Sequence, residues 1–436
     1  MPRPVGGVLH SNQKTKKDIK MKAGVGYCNE KDAFVSGRNI AESAILNGKI
    51  EKPGLVLAFC AGQVNADDFF RGLRSIVGVE APIIGGSAVG IITNDYLSYE
   101  GFPAGAAILQ LDELQCKVVS VNDLDKDEKQ AGRKLAEHFS SEIQGKLLLI
   151  FYDSIKFPPT STTPPIMNAS PTLIRGIEET FTQSVPIIGA GLVGDYDFCP
   201  TKQFCGSYVG SQSIVGALFG GDFQHYSQIM HGCTPKDGIY HTITKMEGSF
   251  IFEVDGKPIV NIIDDIYGNR HWQEQTPVKR LSIGVNHGER FGNYKEAEYV
   301  NRLITGVLPE RKGIVIFEPD LNEGTEILFM LRDSQKMIES AQKNSMELMT
   351  RIKAEGREPV FGLYIDCAGR TASFSDTLTE EASAIRDVFN QSNIPLLGFY
   401  SGVEVAPLLG KSRGLDWTGV LLVLTKGEEC VEQNKS

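Results

Sequence analysis

The chain has 436 residues, 41% hydrophobic and 22% charged, with 44 basic against 54 acidic side chains and a formal net charge of −10. That length exceeds one ordinary domain and supplies apolar content for two or three cores, while the acidic balance argues against a general nucleic-acid or anionic-membrane surface. No run reaches membrane-spanning length, no signal-peptide core follows the N-terminal charges, and the scattered cysteines lack framework spacing, so a cytoplasmic protein with reduced thiols is expected.

Residues 1–21 carry Lys14, Lys16, Lys17 and Lys20 without hydrophobic periodicity. They read as a disordered leader, with nuclear localisation or phosphate binding as the alternative. The segment Ala33 to Leu46 has Val35, Ile40, Ala44 and Ile45 at helical spacing and leads through Pro53-Gly54 into a unit that occurs three times.

Each copy of the unit opens with an apolar run that ends in a turn: LVLAFCAG from Leu55, LLLIFYDS from Leu147 and VFGLYIDCAG from Val360. An amphipathic helix follows. Asn65 caps the first, with Asp67 and Asp68 in its first turn; Ser170 caps the second, with Pro171 at the first helical position; Thr377 and Glu380 have capping-box spacing in the third. Next comes a proline, two aliphatics and a glycine, in APIIGGSAVG (Ala81 to Gly90), VPIIGAGLVG (Val185 to Gly194) and IPLLGFYSG (Ile394 to Gly402). These read as short buried strands ending in tight turns. A last apolar strand closes each copy, near Ala104, Ser213 and Thr418, so the repeat is β-α-β-β.

Between the copies, Asp123 to Glu128 resembles the opening of a calcium loop. Glu128 stands where glycine is required and Lys134 where a bidentate acid is required, so it reads instead as a helix start. KFPPTSTTPP from Lys156 reads as a surface loop. After Gly220-Gly221 the pattern turns to short alternating strands with an Asp255-Gly256 turn, a helix from Pro258 to Tyr267, strands near Gly313 to Phe317 and Glu326 to Met330, and a long helix from about Ser334 to Glu355. The expected organisation is an α/β protein of two lobes with mixed sheets flanked by helices, residues 22–222 and 223–426, followed by a frayed tail over 427–436.

Chemistry is sought where strand ends meet. Gly189-Ala-Gly191-Leu-Val-Gly194 spells a dinucleotide fingerprint, yet no helix can start at Asp195-Tyr-Asp-Phe-Cys-Pro200 to meet a pyrophosphate, so nucleotide binding is rejected. No metal ligand set and no cofactor motif is found. Cys367 could be a nucleophile with Arg370 lowering its pKa; the preferred reading is a small residue at a turn, because Cys60 occupies the matching motif and no histidine stands near either. A crossover between parallel strands brings their following turns to one edge. That would set Asp366-Cys-Ala-Gly-Arg370 against Phe399-Tyr-Ser-Gly-Val-Glu404, with Arg370 and Glu404 either holding a small zwitterion or bridging to each other.

CAGR, the paired Glu380-Glu381, PLLGFYSGVE and TGVLLVL resemble the C-terminal half of the FIST sensory-domain family; FCAG and PIIGGSAVG resemble its N-terminal half, and HTITKMEGSFIFEVDGKPIVNIIDDIYG the segment joining them. The resemblance implies a sensory module of the kind found in bacterial signalling proteins and some eukaryotic F-box proteins, suspected of binding small ligands such as amino acids. Its signature positions fall on Cys367, Gly369, Arg370, Gly398, Phe399, Tyr400 and Glu404, and on Gly85, Gly86 and Gly90; Val403 stands where the family usually has glycine. The ligand-binding set expected is Cys367, Arg370, Phe399, Tyr400, Ser401 and Glu404 with Gly85, Gly86 and Ser87, acting as a non-enzymatic sensor with a separate signalling partner. The alternatives are a Cys367-dependent enzyme and a protein-binding scaffold.

Overall fold

A computed structural model describes residues 21–112, 114–139, 143–160 and 165–427, so most of the leader and of the tail lies outside the described residues. The first unit comprises β1 (Met21–Asn29), α1 (Ala33–Gly48), β2 (Leu55–Ala61), α2 (Ala66–Val77), β3 (Ile83–Ala88), a hairpin of β4 (Ile91–Thr93) and β5 (Leu97–Ser98), and β6 (Pro103–Leu111). The second repeats this order: β7 (Gln115–Val121), α3 (Glu128–Phe139), β8 (Leu147–Asp153), a short pair β9 (Ile155–Phe157) and β10 (Ile166–Met167), α4 (Ser170–Glu178), β11 (Ile187–Leu192), the hairpin β12 (Gln203–Cys205) and β13 (Tyr208–Gly210), and β14 (Ile214–Gly220).

The third unit starts with β15 (Phe223–Met230) and is interrupted by a lobe before it resumes. The lobe holds β16 (Cys233–Pro235), β17 (His241–Glu247), β18 (Phe250–Val254), β19 (Lys257–Pro258), α5 (Ile259–Tyr267), β20 (Leu281–Asn286), β21 (Tyr299–Arg302), β22 (Ile304–Val307), β23 (Ile314–Ile316) and β24 (Glu326–Arg332). The unit then continues with α6 (Ser334–Ala354), β25 (Pro359–Cys367), α7 (Ala372–Ser375), α8 (Ala382–Gln391), β26 (Leu396–Ser401), the hairpin β27 (Val403–Leu408) and β28 (Lys411–Leu415), and β29 (Gly419–Lys426).

The repeat is thus longer than the sequence pattern, with an extra strand and helix ahead of each copy and a hairpin before its last strand. That hairpin does not stay at home. The three six-stranded sheets run β1-β6-β2-β3-β12-β13, β7-β14-β8-β11-β27-β28 and β15-β29-β25-β26-β4-β5, so each unit lends its hairpin to the sheet of another in a closed cycle. Within each of these sheets the pair bridged by α2, α4 or α8 is parallel and the rest antiparallel. The change of character after Gly221 coincides with the start of β15, which already pairs with β29 of the third unit.

Period-2 alternation explains the packing. Leu55, Leu57 and Phe59 join Leu147, Leu149, Phe151, Leu363, Ile365, Leu397 and Phe399 in one core shared by all three sheets. Val56, Ala58 and Cys60 turn to the opposite face and meet α1 and α2. The rings of Phe59, Phe151 and Phe399 close the centre, with centroids 3.8 to 5.8 Å apart. The glycine after each proline-aliphatic pair is required by close approach: a Cβ on Gly85, Gly189 or Gly398 would lie 2.0, 1.8 or 2.5 Å from the carbonyl oxygen of Ala58, Ile150 or Tyr364 on the parallel neighbour.

The lobe is a barrel. Its sheet runs β21-β20-β24-β17-β18-β23-β22, and β21 and β22 are separated only by Leu303, so one bent strand joins both ends and curls the sheet round on itself. Ile243, Ile283, Ile304, Ile327, Phe329 and Trp272 fill it, with Ile259 and Ile263 of α5.

Asn65 caps α2 as expected, accepting from Asp68 N at 3.0 Å. Two other caps differ. Ala169, not Ser170, precedes α4, because the Ser170 hydroxyl is engaged by Glu318; and α8 begins at Ala382 with no capping box, because Glu380 is drawn to Tyr400 and Ala372.

Candidate functional site

β25 and β26 are parallel neighbours with Asp366 opposite Tyr400 and Cys367 opposite Ser401, so their following turns do share an edge. The expected match between Cys60 and Cys367 is offset by one residue. Cys60 lies opposite Ser87, which follows Pro82 at the same distance as Tyr400 follows Pro395. Cys60 therefore corresponds to Asp366, and one step along a strand reverses the face. Cys60 packs under the helices, whereas Cys367 packs with Val403, Trp417 and Phe317.

Arg370 and Glu404 are both fully buried but do not pair. Arg370 Nε donates to Asp366 Oδ1 and Glu381 Oε2, each at 2.9 Å, and Nη1 donates to the carbonyls of His231 at 3.0 Å and Trp417 at 2.8 Å. Its Nη2 sits 2.7 Å from Glu381 Oε2, an ion contact without the alignment of a hydrogen bond. A buried guanidinium persists only when its charge and its donors are answered. Here two acids of its own unit and two carbonyls answer them. The expected role of Arg370 as a carboxylate receptor is narrowed accordingly: Nε and Nη1 are committed within the protein, and only Nη2, in ion contact with Glu381, is without a hydrogen bond. Glu381 also accepts from Tyr364 Oη at 2.8 Å, and Tyr400 Oη donates to Glu380 at 2.7 Å.

Glu404 leaves the third unit on β27 and enters the second unit's sheet, where it stands opposite Ala190 of β11. Its Oε1 accepts from Ser401 Oγ at 2.8 Å, and its Oε2 has no partner. The polar side chains around this crossing gather on glycines. A Cβ on Gly191 would lie 2.1 Å from Ser154 Oγ and 2.8 Å from Tyr152 Oη, and one on Gly414 would lie 1.9 Å from Ser170 Oγ and 3.2 Å from Glu318 Oε2. Ser170 donates to Glu318, Asp416 accepts from Leu303 N at 2.9 Å, and Arg302 pairs with Asp320. Eight buried polar atoms here lack a hydrogen-bond partner within the protein: Tyr152 Oη, Ser154 Oγ, Glu318 Oε1, Asp366 Oδ2, Arg370 Nη2, Glu404 Oε2, Asp416 Oδ1 and Trp417 Nε1. Native interiors satisfy nearly all such groups, with protein atoms, water or a ligand, so a concentration of exceptions calls for an explanation.

Electrostatics agree. Burial pushes the Glu404 and Asp366 carboxyls well above the usual range, Glu318 up to about 8 and Asp416 up to about 6. Burial likewise raises the Cys367 thiol well above its ordinary value, with the Glu404 and Asp366 charges adding to it.

The remaining expected residues take other places. Phe399 belongs to the central aromatic trio. Gly85 and Gly86 lie inside β3, and Ser87 is tied to Lys202, donating from its N at 2.8 Å and accepting at its Oγ at 2.9 Å. They hold β12 of the second unit and are not brought to Glu404. Tyr152, Ser154, Ser170, Glu318, Asp416 and Trp417 escape sequence reasoning; the one local signal is Asp153-Ser154 where the first unit has Ala61-Gly62.

The junction is covered by a thin layer. Tyr196 Oη donates to the Ala368 carbonyl at 2.9 Å, its ring stacks on Phe374 at 5.7 Å, and Phe374 contacts Trp417 at 6.2 Å. The lobe is pinned to the same place. Arg332 Nη2 donates to Gly369 O at 2.8 Å and Ser375 Oγ at 2.7 Å, with its guanidinium 4.1 Å over the Trp417 ring. Glu296 accepts from the backbone of His231 and Gly232 and from Ser340 Oγ and Asn344 Nδ2, fastening the lobe's neck to α6.

An open groove of about 530 Å³ lies elsewhere, between β1, α1 and the lent hairpin β4–β5. Two of its asparagines are tied together, Asn94 Nδ2 donating to Asn390 Oδ1 at 2.8 Å, and none of the expected residues lines it. No cluster of three or more His, Cys, Asp or Glu side chains able to hold a metal ion, and no helix long and apolar enough to cross a membrane, occurs among the described residues.

A FIST N domain model matches residues 54–257 and a FIST C domain model residues 262–407. The chain is 24% identical over 375 residues to an uncharacterized protein of Methanocaldococcus jannaschii, covering 80% of this chain and 65% of that one. It is 25% identical over 228 residues to uncharacterized proteins of Mycobacterium bovis and Mycobacterium tuberculosis, covering 52% of this chain and 57% of each. The chain therefore spans less than two thirds of the length of these relatives. Among solved structures, a cyanuric acid hydrolase aligns at TM-score 0.33 and 9% identity over 93% of this chain and 100% of its own. Phosphoribosylformylglycinamidine synthase II of Thermotoga maritima aligns at TM-score 0.21 and 10% identity over 93% and 72%. Likeness at those scores carries no argument. The two family models together take in most of the described chain, and the chain belongs to the FIST family, whose domains are generally sensory, ligand-binding signalling domains.

Proposed function

We propose that this protein is a sensor whose small polar ligand, such as an amino acid, is held at the junction between the second unit, the third unit and the inserted lobe. One observation carries the reading: the unpartnered buried polar atoms concentrate where Glu404 of the third unit crosses β11 of the second, beneath the Tyr196 and Phe374 cover. A ligand there supplies the hydrogen bonds that the fold leaves unmade. Binding rather than catalysis fits, since the Cys367 thiol is buried with its pKa raised and so lacks the thiolate a nucleophile needs.

The response has a route outward to a separate partner. Arg370 reaches the lobe's neck through the His231 carbonyl, and Arg332 reaches the junction from the lobe through Gly369 and Trp417. A shift at Asp366 or Trp417 on ligand binding then alters how the lobe sits. Thermal unfolding against a panel of amino acids tests the reading. Ligand at a hundredfold excess over its Kd is expected to stabilise by about 2.7 kcal/mol, with the shift reduced in Glu404→Gln. A panel without any stabilising member, or a shift undiminished in that variant, overturns it.

A further inference from the structure

We infer that the open groove beside β1 takes an extended internal segment of a partner protein, carrying a basic side chain, as an added strand on the free edge of β1. The inference goes beyond the proposed ligand and does not depend on the junction.

The direction of the edge follows from the register. Val56 N donates to Pro82 O on the β3 side, so Leu55 and Leu57 turn their main-chain groups to β6. Their partners Leu109 and Ala107 face β2, which leaves Ile108 and Ala106 to bond Gly24 and Gly26 of β1. Ala23, Val25 and Tyr27 therefore point their N–H and C=O groups away from the sheet, into the groove that they line. Asn47 of α1 agrees: its side-chain amide donates to Val25 O at 3.0 Å, as the N–H of a neighbouring strand would. No strand pairs with that edge among the described residues.

Exposed edges are normally blunted by shortness, bulges, proline or charge, because they recruit other chains. β1 is nine residues long, its register with β6 is unbroken, and it has no proline. Its one charge, Lys22, is drawn to Lys49 O and Glu51 near the strand's start. The groove is built around the edge that remains. Ser43 and Asn47 of α1 form one wall, and the tip of β4–β5 with Asn390 to Pro395 forms the other. This second wall is preset, since Asn94 donates to Asn390 Oδ1 and to Ile394 O and accepts from Leu396 N at 2.8 Å, while Tyr96 stacks on Tyr27 at 4.3 Å. The edge from Ala23 to Tyr27 matches about five extended residues, at about 3.4 Å each.

Charge selects the occupant. Asp95, exposed at the hairpin tip, is the one charged side chain among the described residues lining the groove. With no lysine, arginine or histidine there, no cation answers the terminal carboxylate of a free peptide, which favours a stretch inside a longer chain. A lysine or arginine in that stretch meets Asp95, while its main chain bonds the edge.

The test uses the full chain and a library of acetylated, amidated pentapeptides rich in valine and threonine with a central lysine, read by hydrogen exchange of single amides. Members are expected to slow exchange at Ala23, Val25 and Tyr27 at least tenfold and to leave Gly24 and Gly26, already bonded to β6, little changed. Glutamate in place of the lysine is expected to weaken binding about tenfold, and Asp95→Asn to remove that difference. Val25→Pro takes away only an outward N–H, which an edge strand tolerates. It is expected to abolish binding while the Gly24 and Gly26 amides stay protected. Protection by no member of the library, or equal protection by peptides N-methylated at alternate amides, overturns strand addition. Equal or tighter binding of the glutamate peptides overturns the basic class, and tighter binding of peptides with free termini overturns the internal segment. Edge amides already protected without peptide show that the chain itself closes the edge, and overturn the partner.

Discussion

The third and the first unit place the same motif at the equivalent point of their respective sheets and fill it differently. In the first, Gly85, Gly86 and Ser87 give their backbone and hydroxyl to neighbouring strands, and the turn is an anchor for the second unit's hairpin. In the third, Tyr400 and Ser401 stand in place of Ser87 and Ala88, and behind them lie Asp366, Arg370, Glu381 and Glu404, all fully buried. The repeat is thus a scaffold whose copies share glycine and strand geometry, while ionisable side chains collect at one junction. Packing accounts for the shared part, and the buried ion network of Arg370, Asp366 and Glu381 sets the third copy apart.

Removing the guanidinium should have the largest effect. Arg370→Met leaves Asp366 and Glu381 buried without their cation and is expected to cost about 3–5 kcal/mol in denaturant unfolding; the first unit has no cation there, since Val64 holds the corresponding position. An unchanged midpoint would show that the two copies are alike after all.

Next come the shared glycines. Gly85→Ala, Gly189→Ala and Gly398→Ala each force a Cβ against a strand carbonyl and are expected to destabilise by about 1–3 kcal/mol or more. Comparable losses in all three confirm that this part of the motif is structural in every copy.

A pH series separates the copies further. Glu318 is pushed up to about 8 and Asp416 up to about 6 in the folded state, against 4.5 and 3.8 for the free groups. Raised carboxyls bind more protons folded than unfolded, so stability is fullest below the free values and falls as pH rises through 6 and 8, levelling above. Glu318→Gln should flatten the upper part of that fall, read as the unfolding midpoint at pH 5, 6.5 and 8. A midpoint rising over this range would contradict the assignment.

The smallest effect is expected where a lent hairpin is pinned. Arg74 donates to Gly78 O at 2.7 Å and Ala81 O at 2.5 Å and also reaches Gly206 O at the tip of β12–β13. Arg74→Ala is expected to cost about 1–2 kcal/mol. Asn94→Ala, at the corresponding tip of β4–β5, should be similar, since Asn94 bonds Ile394 O at 2.9 Å.

Much of the fold was legible because its cause is local. Asn65 caps α2, Gly356 follows α6, Asp255-Gly256 turns after β18, and the strand through Gly189 and Gly191 excludes a nucleotide loop, each from residues within a few positions. The repeat was visible because close backbone approach imposes the same glycine three times. The site was legible only in part. That the turns after Cys367 and Ser401 share an edge follows from the crossover, and Glu404 is buried beside them.

What each side chain meets there is another matter. Arg370 is held by Glu381, His231 and Trp417, residues up to 139 positions away, and Glu404 crosses into another unit's sheet. Capping propensity places Ser170 at a helix start, but an acid from the inserted lobe claims its hydroxyl. The sequence by itself determined the elements, their threefold recurrence and the residues that had to be small, since propensity, periodicity and steric exclusion act over a few residues. The exchange of hairpins and the pairing of buried charges were decided by tertiary structure alone, because burial removes water as a partner and each charged group must then settle with whatever distant segment the packing brings to it.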